Sequence, residues 1–278
     1  MSSQTGVDAS LGYFARLVLV VSIWAAQLVR PPSQAHRSEG ARRLSRNVLT
    51  TAVIAAMLVV ALMIWADARE IALMPPRGTP GLWPFRILTD FGKDTYVLLL
   101  VTFLLVAVAL VAPATHGSTR RRLATAGLRL QFIWLALAGP LVFGELVKWI
   151  AGRGRPFVGG EVNPFNFVPF AGTAAHASFP SAHSITAFAL AFAIAAIWPR
   201  MRGVMAAYAL IIVFTRLVLL AHHPSDVVAG AAIGLIGAMC VRYWFAARAL
   251  GFAISEAGII SPLPEGPVKK VAAKPSAS

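Results

Sequence analysis

The sequence predicts an all-α integral membrane protein: a bundle of six transmembrane helices with an extra N-terminal membrane-associated helix. Three observations predict it. Of 278 residues, 58% are hydrophobic and 13% charged, and the mean hydropathy of +0.71 exceeds that of an ordinary water-soluble domain. The apolar residues gather into six runs close to the length that crosses a bilayer core as a helix. The basic residues lie mostly between the runs, concentrated in every second connection.

Segment 11–29 comes first. It is apolar but interrupted by Arg16, and its basic residues follow it, the reverse of a signal peptide, so it reads as a membrane-embedded or surface-lying helix. With the basic linker it makes an N-terminal segment, 1–47. The membrane domain, 48–249, holds spans at about 48–66, 95–111, 128–149, 184–198, 204–221 and 227–247. The fourth is short and gains length if it starts in the Pro180 turn. A Pro/Gly-rich loop, 74–85, joins the first two spans. A longer one, 151–179, joins the third and fourth and carries Phe157, Phe165, Phe167 and Phe170, which suit either the lipid interface or packing within the loop. Residues 250–278 read as a disordered basic tail, with Pro262, Pro264, Pro267 and Pro275 among small residues and lysines. There is no internal repeat and no soluble second domain.

Charge placement orients the bundle. Arg30, Arg37, Arg42, Arg43 and Arg46 precede the first span, Arg120, Arg121 and Arg122 separate the second and third, and Arg200 and Arg202 separate the fourth and fifth. Arg242, Arg248, Lys269, Lys270 and Lys274 lie at or beyond the end of the sixth. All fall on one side, which is expected to be cytoplasmic, here of a bacterial inner membrane. The opposite side carries Arg69, Arg77, Arg86 and Lys93, offset by Asp67, Glu70, Asp90 and Asp94. The net charge of +14 thus reflects topology, and no nucleic-acid partner is expected. The lone Cys240 excludes an internal disulfide and a cysteine metal site.

Three ionisable clusters stand at ends of apolar runs on that opposite side: KWIAGRGRP (148–156), FPSAHS (179–184) and TRLVLLAHHPSD (215–226). Charges at membrane depth are costly, which makes these clusters candidates for function. A phosphate ester repels nucleophiles until its charge is neutralised, and Lys148, Arg155 and Arg216 offer a clamp for it, the arginines through their two-pronged donors. Ser181 stands where an N-cap belongs, with helix amides behind it to face an anion, and His183 falls in the first turn. His222 lies four residues before Asp226, with Pro224 turning the chain between them, so the carboxylate is expected to orient the imidazole for nucleophilic attack.

At these residues the chain resembles the type 2 phosphatidic acid phosphatase superfamily, which also includes vanadium haloperoxidases. The family signature is Lys, six residues, Arg-Pro; then Pro-Ser-Gly-His; then Ser-Arg, five residues, His, three residues, Asp. This chain supplies Lys148 and Arg155-Pro156; Pro180-Ser181-Ala182-His183; and Thr215-Arg216, His222 and Asp226, over a region of about 128–247. Ala182 replaces a glycine and Thr215 a serine, and neither change removes a catalytic group. The resemblance implies that His222 attacks phosphorus to give a phosphohistidine, Asp226 orients it, and His183 protonates the leaving oxygen and later activates water. Lys148, Arg155, Ser181, Arg216 and the amides around Ala182 would hold the phosphate, with no metal and no cofactor.

The expected function is hydrolysis of a lipid phosphate monoester or diphosphate at the outer face of the membrane. A lipid-linked phosphotransferase and a non-catalytic binding or transport protein are the alternatives; the haloperoxidase branch is soluble and does not suit this composition. Glu145 is expected to pair with Lys148 one helical turn away. His223 reads as a wall or solvated turn residue, His176 as an exposed loop residue within reach of substrate, and Asp90 and Lys93 carry no diagnostic pattern. The sequence specifies neither the lipid nor the oligomeric state.

Overall fold

The computed structural model describes residues 12–263 except 77, 157 and 161; the expectations for Arg77, Phe157 and the tail from 264 lie outside the described residues. Each predicted span corresponds to a helix: α2 (Arg37–Trp65), α5 (Asp94–Val111), α6 (Gly117–Ala151), α7 (Ala182–Ile197), α8 (Arg202–Val218) and α9 (Pro224–Ala247). Among the described residues, five helical stretches are able by length and apolarity to cross a membrane, and α7, with 16 residues, is a shorter apolar helix. Leu49, Val53, Met57, Val60 and Ile64 leave one side of α2 exposed, as a lipid-facing helix requires.

The segment before the spans forms α1 (Tyr13–Val29). The Tyr13 hydroxyl donates to Leu110 O at 2.7 Å, and Leu28 O accepts from Trp244 Nε1 at 3.1 Å. Leu110 and Trp244 both lie at the arginine-rich end of their helices, so α1 runs across that end of the bundle instead of along the spans. Of the two sequence readings, the surface-lying one matches this placement.

The 66–93 connection is more helical than its proline and glycine content suggests. It contains α3 (Asp67–Leu73) and α4 (Trp83–Asp90), the latter with proline in its first turn. The tail also departs from expectation. Phe252–Ile254 (β1) and Ile260–Pro262 (β2) pair as an antiparallel hairpin, so 250–263 is folded. Phe252 explains why: its ring meets Phe132 edge-to-face at 4.9 Å, and Phe132 meets Phe245 at 5.3 Å, which ties the hairpin to the core between α6 and α9.

Helix α9 is the centre of the bundle, and its glycines set how close its neighbours come. A Cβ at Gly230 would lie 2.4 Å from Ser181 O, one at Gly234 2.4 Å from Ile185 O, and one at Gly237 2.1 Å from the Pro140 ring of α6. This spacing of small residues lets backbones touch where no hydrophobic effect drives helices together. It also brings the start of α7 against the start of α9, which is where two of the three ionisable clusters meet.

Candidate active site

Helix α6 ends at Gly152, whose φ of 54° is left-handed and whose Cβ position is occupied by Val168 O at 1.8 Å, so only glycine fits. The chain then runs antiparallel to 166–170: Val168 N donates to Gly152 O at 2.8 Å, Gly154 N to Asn166 O at 2.8 Å, and Phe170 N to Trp149 O at 2.9 Å. In this extended stretch alternate side chains face opposite ways. Arg155 is half-buried and donates to Ala174 O at 3.0 Å and Ala221 O at 2.9 Å, joining the long loop to the residue before His222. Arg153 points the other way and is wholly buried.

Arg153 is the principal residue that sequence reasoning missed. Its guanidinium donates to Asp226 Oδ1 at 2.6 Å, Asp67 Oδ2 at 2.7 Å, Ser225 Oγ at 2.6 Å and Pro164 O at 2.7 Å. Asp67, at the start of α3, also accepts from Ser225 N at 3.0 Å. One arginine thus links the end of the first span, the long loop and the start of α9. The signal was present: two arginines separated by one residue in an extended segment cannot both face a phosphate. Glu70, one turn after Asp67, has both carboxylate oxygens buried without a partner among the described residues. Burial, with the charges of Asp67 and Asp226 second, pushes its pKa up to about 8, so it is mostly protonated at neutral pH.

Ser181 is the N-cap of α7, as expected; its Oγ accepts from Ser184 N at 3.5 Å and its own amide donates to Asp226 O at 3.1 Å. A helix leaves its first amides without intrahelical acceptors. Here those of Ala182 and His183 are left to face an anion. His183 stands among cations: the charges of Arg216, Arg155, Lys93 and Lys148 all act on it. Lys93, which the sequence left unassigned, therefore joins this group. Arg216 is anchored by donating to Thr89 Oγ1 of α4 at 2.7 Å. Lys148 pairs with Glu145, as its spacing predicts. Thr215 spends its hydroxyl on Ile212 O at 2.6 Å, so the departure from serine faces the helix and not the site.

The expected direct bond between Asp226 and His222 is absent. Asp226 Oδ2 is 3.9 Å from His222 Nδ1; it accepts instead from Ser178 Oγ at 2.6 Å, His223 N at 2.8 Å and His223 Nδ1 at 3.1 Å. His222 Nδ1 bonds to Ser178 O at 2.8 Å, which as a carbonyl only accepts and so fixes the proton on Nδ1. Nε2 then carries the lone pair. Burial, with Arg216 second, holds the His222 pKa well below the usual histidine value, and the ring is neutral. A neutral imidazole with an oriented lone pair beside clustered cations is equipped to attack a phosphate. His223 is itself buried and tied to Asp226, a wall residue and not a solvated one. His176 sits in a short turn with Nδ1 3.1 Å from Thr173 Oγ1, bordering a cavity of about 270 Å³ with Lys148 and Trp149. Among the described residues, no three His, Cys, Asp or Glu side chains gather to hold a metal ion.

Comparison with known proteins gives the chain a family. The PAP2 superfamily model matches residues 130–250, which include all three clusters. A lipid A 1-phosphatase of Rhizobium etli is 32% identical over 53% of this chain and 64% of its own length, just under two thirds of that relative. A lipid A 1-phosphatase of Rhizobium johnstonii is 34% identical over 62% of this chain and 71% of its own. A crystal structure of a transmembrane PAP2-type phosphatidylglycerolphosphate phosphatase from Bacillus subtilis superposes with a TM-score of 0.50 at 18% identity, covering 70% of this chain and 94% of that one. At that identity the likeness concerns the fold.

Proposed function

We propose, for a chain that belongs to the PAP2 superfamily, that it is a metal-independent lipid phosphatase that removes phosphate from a membrane lipid through a phosphohistidine on His222. The single observation that carries this reading is the neutral, Nδ1-protonated His222 beside Arg216, with Arg155, Lys148 and Lys93 gathered around His183. The substrate phosphate lies between the Ala182 and His183 amides and the clamp of Lys148, Arg155 and Arg216. His222 Nε2 attacks phosphorus as the P–O bond to the lipid breaks. His183 gives its proton to the departing lipid oxygen, then takes one from the water that releases phosphate from His222. Ser181 caps the helix that presents the amides.

The substrate best supported is the 1-phosphate of lipid A, because both of these relatives are named lipid A 1-phosphatases. The site opens on the side opposite the arginine-rich connections, which supports an outward-facing enzyme of a bacterial inner membrane. The test is phosphate release by purified protein from lipid A 1-phosphate, phosphatidylglycerol phosphate, phosphatidate and undecaprenyl diphosphate, with His222→Ala as the blank. Fastest turnover of lipid A 1-phosphate is expected. Faster release from a glycerophospholipid would reassign the substrate, and release by His222→Ala would remove the mechanism.

A further inference from the structure

The far end of the bundle from the catalytic cluster holds a second convergence of cations. Arg43 of α2, Arg202 at the start of α8 and Arg242 near the end of α9 line one cavity of about 230 Å³, closed by Asn47 and by the hairpin at Gly258. No carboxylate lines it. Glu39, beside the lining Gly40, already accepts from Ser38 Oγ at 2.7 Å. Among the described residues none of the three arginines has an ion-pair partner, and Arg242 Nε is buried with no acceptor.

Arg202 is exposed to solvent and Arg242 has the face of the Phe192 ring, but no negative group among the described residues meets the three charges inside the cavity, which leaves it suited to an anion. Positive-inside topology accounts for arginines at this end, but not for three of them turned toward one cavity. The hairpin fits closely there: a Cβ on Gly258 would lie 2.6 Å from Glu39 O, and Arg43 Nη1 reaches Ala257 O at 3.5 Å. The depth is interfacial. Arg248 lies 3.6 Å over the Trp244 ring and Arg129 lies 5.2 Å over Trp198, as aromatic and basic residues do at headgroup level. Basic pockets between membrane helices at the cytoplasmic surface suit lipid phosphates, which take paired hydrogen bonds from arginine.

We propose that the cavity of Arg43, Arg202 and Arg242 binds a phosphate-bearing group, supplied by the headgroup of an anionic phospholipid in the leaflet that meets the arginine-rich end. The bound headgroup neutralises the three arginines and clasps α2, α8, α9 and the hairpin together. The site is separate from the catalytic one, so the proposal stands or falls independently of the substrate assignment.

The experiment uses the full-length protein in neutral detergent, with phosphatidylglycerol or phosphatidylcholine at equal mole fraction, and inorganic phosphate as the soluble source. Bound lipid is counted by native mass spectrometry and the melting temperature is followed by tryptophan fluorescence. Wild type is expected to retain phosphatidylglycerol about tenfold more strongly than phosphatidylcholine, and Arg43→Gln/Arg202→Gln to lower that preference to about twofold or less. Arg202→Gln alone, at an exposed residue, keeps the test available should the double variant fail to fold, and a partial loss is expected. His222→Ala should keep the full preference, which separates this site from the catalytic one. Equal preference in wild type and variants, or none in wild type, overturns the proposal. A phosphate-induced rise in melting temperature that is lost with the arginines, without any lipid preference, assigns the cavity to a soluble anion and overturns the lipid source.

Discussion

Replacing Arg153 with Met tests whether the buried ion cluster is a strut or part of the phosphate clamp. Methionine fills a similar length without a charge. In the native protein Arg153 sits between two wholly buried carboxylates, Asp67 and Asp226, at 2.7 and 2.6 Å. Removing the cation leaves both without their ionic partner, and breaking a buried pair from one side costs about 3–5 kcal/mol. Two carboxylates are stranded here, so the loss should reach the upper part of that range unless one of them takes a proton. Asp67→Asn in the same chain removes one stranded charge. The double variant should therefore be more stable than Arg153→Met alone, with a coupling of about 1–3 kcal/mol between the two sites. The assay is unfolding of purified protein in detergent, read together with kcat and KM on a lipid phosphate. A phosphate ligand would behave differently: Arg153→Met would melt near wild type, raise KM or depress kcat as Arg155→Met does, and show no coupling to Asp67. That outcome would refute the strut reasoning.

Other predictions follow from the same geometry. Glu70 keeps in the folded protein a proton that a free glutamate releases near pH 4.5, so its contribution to stability falls as pH rises from about 4.5 and is lost by about 8; Glu70→Gln should flatten the melting temperature across that window. His183→Ala should retain a larger fraction of wild-type activity on para-nitrophenyl phosphate than on a lipid monophosphate, because nitrophenolate leaves without a proton, and equal losses, with phosphohistidine formation limiting, would remove the general-acid role. Activity should persist in excess chelator, and loss restored by magnesium would sink the metal-free mechanism. In a Cys240→Ala background, a cysteine in the His176 turn should react with an impermeant thiol reagent on intact cells while one among Arg120, Arg121 and Arg122 should not; the reverse pattern would invert the orientation.

Five of the six spans were legible because a membrane helix announces itself by length and apolarity, the short α7 showed by apolarity alone, and the arginine-rich connections set one end of the bundle apart from the other. The parts that escaped are short. Helices α3 and α4 have 7 and 8 residues, too few to show a period, and their stability comes from packing, α3 against α2 and α9 and α4 against α8. The hairpin escaped because its strands are three residues each and proline-rich surroundings suggested disorder; what holds it is tertiary packing, Phe252 on Phe132 and Ile254 in the core, with Gly258 against Glu39 O. The placement of α1 followed from hydrogen bonds to Leu110 and Trp244, which no composition encodes.

The candidate site was legible as three clusters that the fold brings together and misread as a set of bonds, and the reason is local helix chemistry. Counting four residues from His222 to Asp226 suggests one face of a turn. Pro224, however, opens α9, which makes His223 its N-cap and Asp226 the third helical residue, where an acid reaches back to the N-cap amide. Asp226 must therefore bond to His223 N, and its remaining capacity goes to Arg153, Ser178 and the His223 ring. Its influence on His222 is consequently exerted through Ser178: the carboxylate holds the hydroxyl, and the carbonyl of the same residue holds His222 Nδ1. The aspartate thus supports the acceptor that sets the tautomer, at one residue's remove, while Arg153 balances its charge from the opposite side.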